Sequence, residues 1–280
     1  MKKQLAVTLG LIVAGAIGVY AFQSTPTVTL VPATPSTISV DSTTTITITA
    51  QITDARVITT GVNLLQVDPN TGAQTTVGLL ASQGGGVFSI EIQPTTTVPE
   101  LFTYEVSAAF RGLLKRSLSL PITVVVVPAG VVVPPDPGPA GTQTLAGIDS
   151  DKDGVRDDVQ RWIAVTFSGS AKLRAGATQF AQSLQLLITG PTNSQTVLSN
   201  AQNEIKAAEC LNYIDFSLHG GIVPSSQSTY NKVLAEQLNT SARAQAYYAA
   251  DQQLSGSFFG GPPAGQYSSQ CNFNPATLPN

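Results

Sequence analysis

The chain has 280 residues, only 11% of them charged, and a net charge of −3. It carries no basic patch that would hold a phosphate backbone, which argues against nucleic acid as a partner. The length fits two modest domains once an N-terminal export segment is set aside.

Residues 1–21 read as a signal peptide. Met1-Lys2-Lys3 is a basic start, residues 5–19 are apolar with small side chains, and Ala21 offers a cleavage point before Phe22. The alternative is an uncleaved anchor, because residues 5–22 form an uncharged stretch at the short edge of what spans a bilayer.

Residues 26–127 read as all-β. Thr45-Ile46-Thr47-Ile48-Thr49-Ala50-Gln51-Ile52 alternates polar and apolar, the period of a half-buried strand. Strand-like runs recur at 28–31, 57–67, 75–80, 87–92, 102–110 and 118–127, separated by turns such as Asp68-Pro69-Asn70-Thr71-Gly72 and Gly84-Gly85-Gly86. Seven short strands in this length predict an immunoglobulin-like β-sandwich. Tyr104-Glu105-Val106-Ser107-Ala108-Ala109-Phe110 resembles the penultimate strand of bacterial Ig-like and fibronectin-type modules, in which a tyrosine often makes the corner bond. The resemblance implies a spacer or adhesive module.

Residues 128–147 read as a proline-rich linker. Pro128, Pro134, Pro135, Pro137 and Pro139 favour extended, semi-rigid backbone. Val131, Val132 and Val133 are too apolar for a solvated linker. They read as an extra edge strand on the first domain, or as a donor strand for a second copy. Self-association through that run or through the sandwich edge is therefore one expected partner mode; the other is a protein or glycan ligand.

Residues 148–280 read as a small all-α domain that opens on an acidic loop. Five of the chain's 17 acidic residues lie in the ten positions from Asp149 to Asp158. Crowding carboxylates in this way costs Coulomb repulsion unless a cation offsets it. The spacing matches the first nine positions of an EF-hand calcium loop: Asp149, Asp151 and Asp153 at positions 1, 3 and 5, Gly154 at the turn, the Val155 carbonyl at 7 and Asp157 at 9. Position 12 departs from the pattern, since Gln160 stands where a bidentate Glu is needed. Asp158 at position 10 is the available replacement if the loop closes differently. With this shorter ligand set the loop resembles the Asp-rich calcium repeats of thrombospondin type 3 and dockerin modules, and calcium (Ca2+) is the expected ion. The same aspartates also fit Asx turns and a helix cap, with Asp157 as N-cap.

Four apolar stripes at helical spacing follow. The first holds Val159, Trp162, Ile163, Thr166 and Phe167, and the second runs from Leu173 through Phe180 to Leu187 before Gly190-Pro191. The third runs from Leu198 to Ile214, and the fourth from Tyr230 to Ala246, with a break near Asn239. Cys210 and Cys271 are the only cysteines, and in an exported chain they predict a disulfide that ties the Gly- and Pro-rich tail to the third helix.

The sequence offers little for catalysis. His219 is the only histidine and has no nucleophile motif beside it. Glu204, Glu209 and Glu236 read as solvated helix faces rather than a glycosidase pair. Tyr247-Tyr248 and Phe258-Phe259 read as packing. The expected function is an exported, calcium-stabilised, non-enzymatic binding or adhesion protein of the bacterial surface or periplasm. Two alternatives stay open: an enzyme acting on envelope polysaccharide or peptidoglycan, and a self-assembling structural subunit.

Overall fold

Alternation of threonine and isoleucine builds the first sheet. A computed structural model describes residues 26–40, 42–68, 71–94, 96–113, 116–190, 193–225, 227–263 and 265–280. The expected export segment and its cleavage point lie outside these residues, as do Pro69-Asn70 of the expected turn and Pro191. Strands β1 (Thr29–Thr34), β3 (Ile46–Gln51), β7 (Val87–Ile92) and β6 (Ala81–Gly84) form a four-stranded antiparallel sheet in that order. Ile46, Ile48 and Ala50 of β3 point inward, and their register partners are Ile92, Ile90 and Phe88.

The second sheet has six strands. Its order is β2 (Thr37–Ser39), β10 (Ile122–Val127), β8 (Glu100–Phe110), β4 (Val57–Val67) and β5 (Gln74–Leu79), with β9 (Ser117–Leu118) paired to β8. It is mixed, because β2 runs parallel to β10 and the other pairs are antiparallel. Buried residues of both sheets, among them Ile48, Phe88, Leu64, Val106 and Val124, share one apolar cluster.

This corrects the expected seven-strand Ig-like sandwich. Among the described residues the N-terminal part holds ten strands, in a four-stranded antiparallel sheet and a six-stranded mixed sheet. The strands that change the count are short: β2 has 3 residues, β6 has 4 and β9 has 2. A run that short shows no period, so it leaves no pattern to read. The parallel β2–β10 pair depends on where the chain crosses after β1, which alternation does not encode.

β10 is buried on both faces, which is why its sequence is the unbroken run Ile-Thr-Val-Val-Val-Val. Val124 and Val126 enter the cluster shared by the sheets, while Val125 and Val127 pack with Ala164 of the first helix and with Val131 and Val133. The valine run is not a strand. Val131 and Val133 close this apolar seam, and Val132 stands exposed between them.

The C-terminal part holds five α-helices among the described residues: α1 (Asp157–Thr166), α2 (Ala171–Thr189), α3 (Ser194–His219), α4 (Thr229–Gln237) and α5 (Ser241–Gln252). The fourth apolar stripe thus divides into two helices, and Asn239-Thr240 lies between them. Side chains cap three of the helices: Ser170 accepts from Leu173 N at 3.2 Å, Asn193 from Thr196 N at 3.0 Å and Thr240 from Arg243 N at 3.3 Å. Val155, Val159, Ile163, Phe180, Leu184, Leu211 and Val233 form the helical core. Cys210 of α3 is disulfide-bonded to Cys271 of the tail, with 4.9 Å between their Cα atoms. No helix among the described residues is long and apolar enough to cross a membrane.

Three fully buried arginines hold the parts together, and none of them is spent mainly on carboxylates. Arg161 of α1 donates to the carbonyl oxygens of Ser36, Thr123 and Pro134. Arg243 of α5 donates to those of Gly141, Thr144 and Leu145. Arg156 donates to those of Glu236 and Gln237, and to the Asp158 carboxylate. Gly147 lets the connecting segment pass this close. Its φ is +64°, and a Cβ there would meet Arg156 Cδ at 2.5 Å.

Candidate functional site

Two left-handed residues curl the acidic loop. Lys152 has φ 60°, the only positive value for a non-glycine among the described residues, and Gly154 has φ 88°. The curl turns backbone N–H groups onto the carboxylates. Gly154 N donates to Asp149 Oδ2 at 3.0 Å, Val155 N to Asp153 Oδ1 at 2.7 Å and Asp153 N to Asp151 Oδ1 at 3.4 Å. From the far side the loop is pinned to the helices. The Val155 side chain sits in the helical core, and Gln182 Nε2 of α2 donates to the Asp153 carbonyl at 2.7 Å.

Asp149, Asp151 and Asp153 each present one carboxylate oxygen, and these three oxygens lie within 4.8 Å of one another. Two oxygens here lack donors: Asp149 Oδ1, on one of these carboxylates, and Gln160 Oε1 are shielded from water and accept no hydrogen bond. The Gln160 amide lies against the loop, since its Nε2 donates to Asp151 Oδ2 at 3.1 Å. A buried acceptor left unmade costs about 1–3 kcal/mol, and a cation removes that cost. The donor set is all oxygen and mostly anionic, which suits a hard cation such as calcium and not a thiolate- or imidazole-seeking metal. The residues present therefore fit a hard dication.

Electrostatics agree with an unmet charge. Burial first, and then the charges of Asp151, Asp149 and Asp157, push the Asp153 carboxyl above its ordinary range against the bond from Val155 N. Burial likewise pushes Asp157 up, with Asp151 and Asp149 adding to it and hydrogen bonds from Ser150 opposing.

Of the six residues expected at the site, the structure gathers Asp149, Asp151 and Asp153. Asp157 opens α1, almost wholly buried, and its Oδ1 accepts from Ser150 N at 2.9 Å. The N-cap is Arg156, not Asp157. Val155 contributes its N–H to Asp153 and its side chain to the core. Asp158 is held elsewhere: Arg156 Nε and an Arg156 terminal nitrogen donate to it at 3.0 and 3.1 Å, and Asn239 Nδ2 at 3.1 Å. Both acidic residues lie in the first turn of α1, where the helix dipole favours them.

Asp158 instead belongs to a second feature, a cleft of about 480 Å³ between the sheet, the proline-rich segment and helices α1 and α4. Leu101, Leu120, Pro121 and Trp162 give it apolar walls, and Asp136, Asp158, Arg161 and Glu236 give it polar ones. Asp136 is already engaged, accepting from Thr123 N and from Gly138 N. Glu236 shares the Asn239 amide with Asp158, its Oε1 lying 3.5 Å from Nδ2. Burial pushes the Glu236 carboxyl up and the charge of Asp158 adds to this, while Arg156, Asn239 and Arg243 pull it down. Glu204, Glu209 and Glu236 are all half-buried, so the reading of the three as solvated helix faces is corrected. Nothing in the sequence signals the cleft, because its residues come from five separate stretches.

No protein-family model matches the chain, and no curated protein matches it.

Proposed function

We propose that the protein is an exported, calcium-stabilised binding protein of the cell surface or periplasm, and that calcium has a structural role. One observation carries this reading: three carboxylates present oxygens within 4.8 Å of one another, and two buried oxygens there, Asp149 Oδ1 and Gln160 Oε1, have no donor. Asp149, Asp151 and Asp153 would hold the ion, with Gln160 Oε1 as a neutral fourth ligand. When bound, the ion supplies positive charge that cancels the repulsion among these groups. The disulfide supports an oxidising compartment.

The loop leads directly into α1, and α1 carries Arg161 and Ala164 into the seam with the sheets. Fixing the loop fixes the start of that helix, and with it the junction between the strand-rich and helical parts. Calcium in this role holds a shape and takes no part in a reaction. Thermal melts of the full chain in millimolar calcium and in chelator test the reading. A higher melting temperature with calcium is expected; identical melts would reduce the loop to a turn ahead of a helix.

A further inference from the structure

Trp162 is the only tryptophan in the chain, and it lines the cleft at the junction of the two parts. It is half-buried, and its ring meets Phe167 edge-on with 5.5 Å between centroids. Leu120, close by in the wall, is 64% exposed. An indole and an exposed leucine lining one recess form an apolar surface that water does not satisfy.

The polar groups of the cleft are mixed in kind. Asp158 accepts. Glu236 accepts as well, its Oε1 lying beside the Asn239 amide. Arg161 is almost fully buried, yet its Nε–H has no acceptor. Its other nitrogens are already given to carbonyl oxygens, so it offers one hydrogen-bond donor more than it offers a free charge. Pockets of this kind, apolar with a few convergent polar groups and set between two structural parts, are where small ligands bind.

We propose that the junction cleft binds a neutral saccharide, with a sugar ring laid on Trp162 and its hydroxyl groups on Asp158, Glu236 and the Arg161 Nε–H. A sugar ring has a C–H face that covers an aromatic plane and an edge of hydroxyls that both donate and accept, which is the pairing this cleft presents. A phosphate or carboxylate ligand would meet Asp136, Asp158 and Glu236 and be repelled. An organic cation would suit those carboxylates but would leave the Arg161 N–H unmet. The inference rests on the reading of the chain as a binding protein and gives that reading a ligand class.

Because Trp162 is alone, its emission reports the cleft directly. The full chain is titrated with the tetramers of N-acetylglucosamine, glucose and mannose, and separately with choline and inorganic phosphate, each in calcium and in chelator. A saturable change with at least one tetramer is expected, matched by calorimetry. Binding should weaken at least tenfold in Glu236→Gln and in Leu120→Lys, both with wild-type melting temperature. The exposed Leu120 serves here because Trp162→Ala also strips the helical core. No response to any tetramer, an unchanged response in both variants, or tighter binding of choline or phosphate would overturn the proposal. Saccharide binding with no effect of calcium on the melt would remove the calcium reading alone. A calcium-dependent melt with no saccharide response would remove the saccharide alone.

Discussion

Arg161 donates from α1 to the carbonyl oxygen of Pro134 at 3.0 Å, joining the first helix to the proline-rich segment. The same guanidinium reaches Ser36 O at 3.0 Å and Thr123 O at 3.1 Å, so one side chain ties two strand-side backbones and the proline-rich segment to the helical part. Burial pushes its pKa down to about 10, with Asp136 and Asp157 acting the other way. Arg161→Met should take a donor from each of those carbonyls, leaving Ser36 O with the Val125 N–H, and destabilise the chain by about 2–4 kcal/mol in urea unfolding. Arg161→Lys should recover little, because an ammonium cannot fork among three acceptors. Wild-type stability in Arg161→Met would show that the seam stands on its valines alone.

The acidic loop should respond to calcium by mass action. At a calcium concentration about 100 times the dissociation constant, the gain would be about 2.7 kcal/mol. With Gln160 at position 12, the expected affinity is weak, on the order of 10⁻⁴–10⁻³ M. The double change Asp151→Asn, Asp153→Asn should abolish the response, and magnesium should do less than calcium because it sheds its waters reluctantly. Gln160→Glu should tighten calcium binding while lowering stability in chelator, since it adds a fourth crowded carboxylate. Calorimetric titration of the three proteins checks the order; equal affinity of Gln160→Glu and wild type would place Gln160 outside the ligand set.

A pH effect should come from Glu204 on α3. Burial pushes its carboxyl up from 4.5 to about 7, with the charge of Asp251 adding and the Tyr230 hydroxyl opposing. The folded state then keeps a proton that the unfolded chain has already released. Its contribution is full below the unfolded value and is lost as pH rises through the folded one, so stability should fall between about pH 4.5 and 7. The loss should be on the order of 2 kcal/mol after allowance for water reaching a half-buried group. Glu204→Gln removes that proton linkage and should be more stable than wild type at pH 8, with little difference at pH 4. Urea melts at the two pH values, both in calcium, decide it. Parallel curves for the two proteins would count against the shift.

The disulfide between Cys210 and Cys271 closes a loop over a sequence separation of 61. In the chain-entropy model this is worth about 4 kcal/mol. Reduction, or the double change Cys210→Ala, Cys271→Ala, should lower stability by about 2–4 kcal/mol. Intact mass after alkylation, before and after reduction, checks that the native protein carries no free thiol.

What the sequence made legible follows from how local each signal is. The Asp149, Asp151 and Asp153 cluster was readable because one turn holds all three and Gly154 marks where it bends. The cysteine pairing was readable by number alone. Asp158 was placed with the ion because it is adjacent in sequence, yet Arg156 and Asn239 take it, and Asn239 is 81 positions away. The cleft was invisible for the same reason: Trp162 was correctly set on an apolar face, but what stands opposite it comes from β8, β10 and α4. Arg161 gave no signal either, since an arginine on a helix reads as solvent-facing until the sheet that buries it is known. The sandwich expectation failed on β2, three residues whose parallel partner lies more than eighty positions further on.

The disulfide also decides which parts of the molecule can bear mechanical load. Tension applied to the chain on either side of the closed loop passes from α3 to the tail through two sulfur atoms, and α4, α5 and the segments around them lie outside that path. A pulled molecule would withhold about 200 Å of contour from extension. The grip of Arg243 on residues 141–145 is made from inside that sheltered stretch, so it is loaded only through its hydrogen bonds and never through the backbone that carries it.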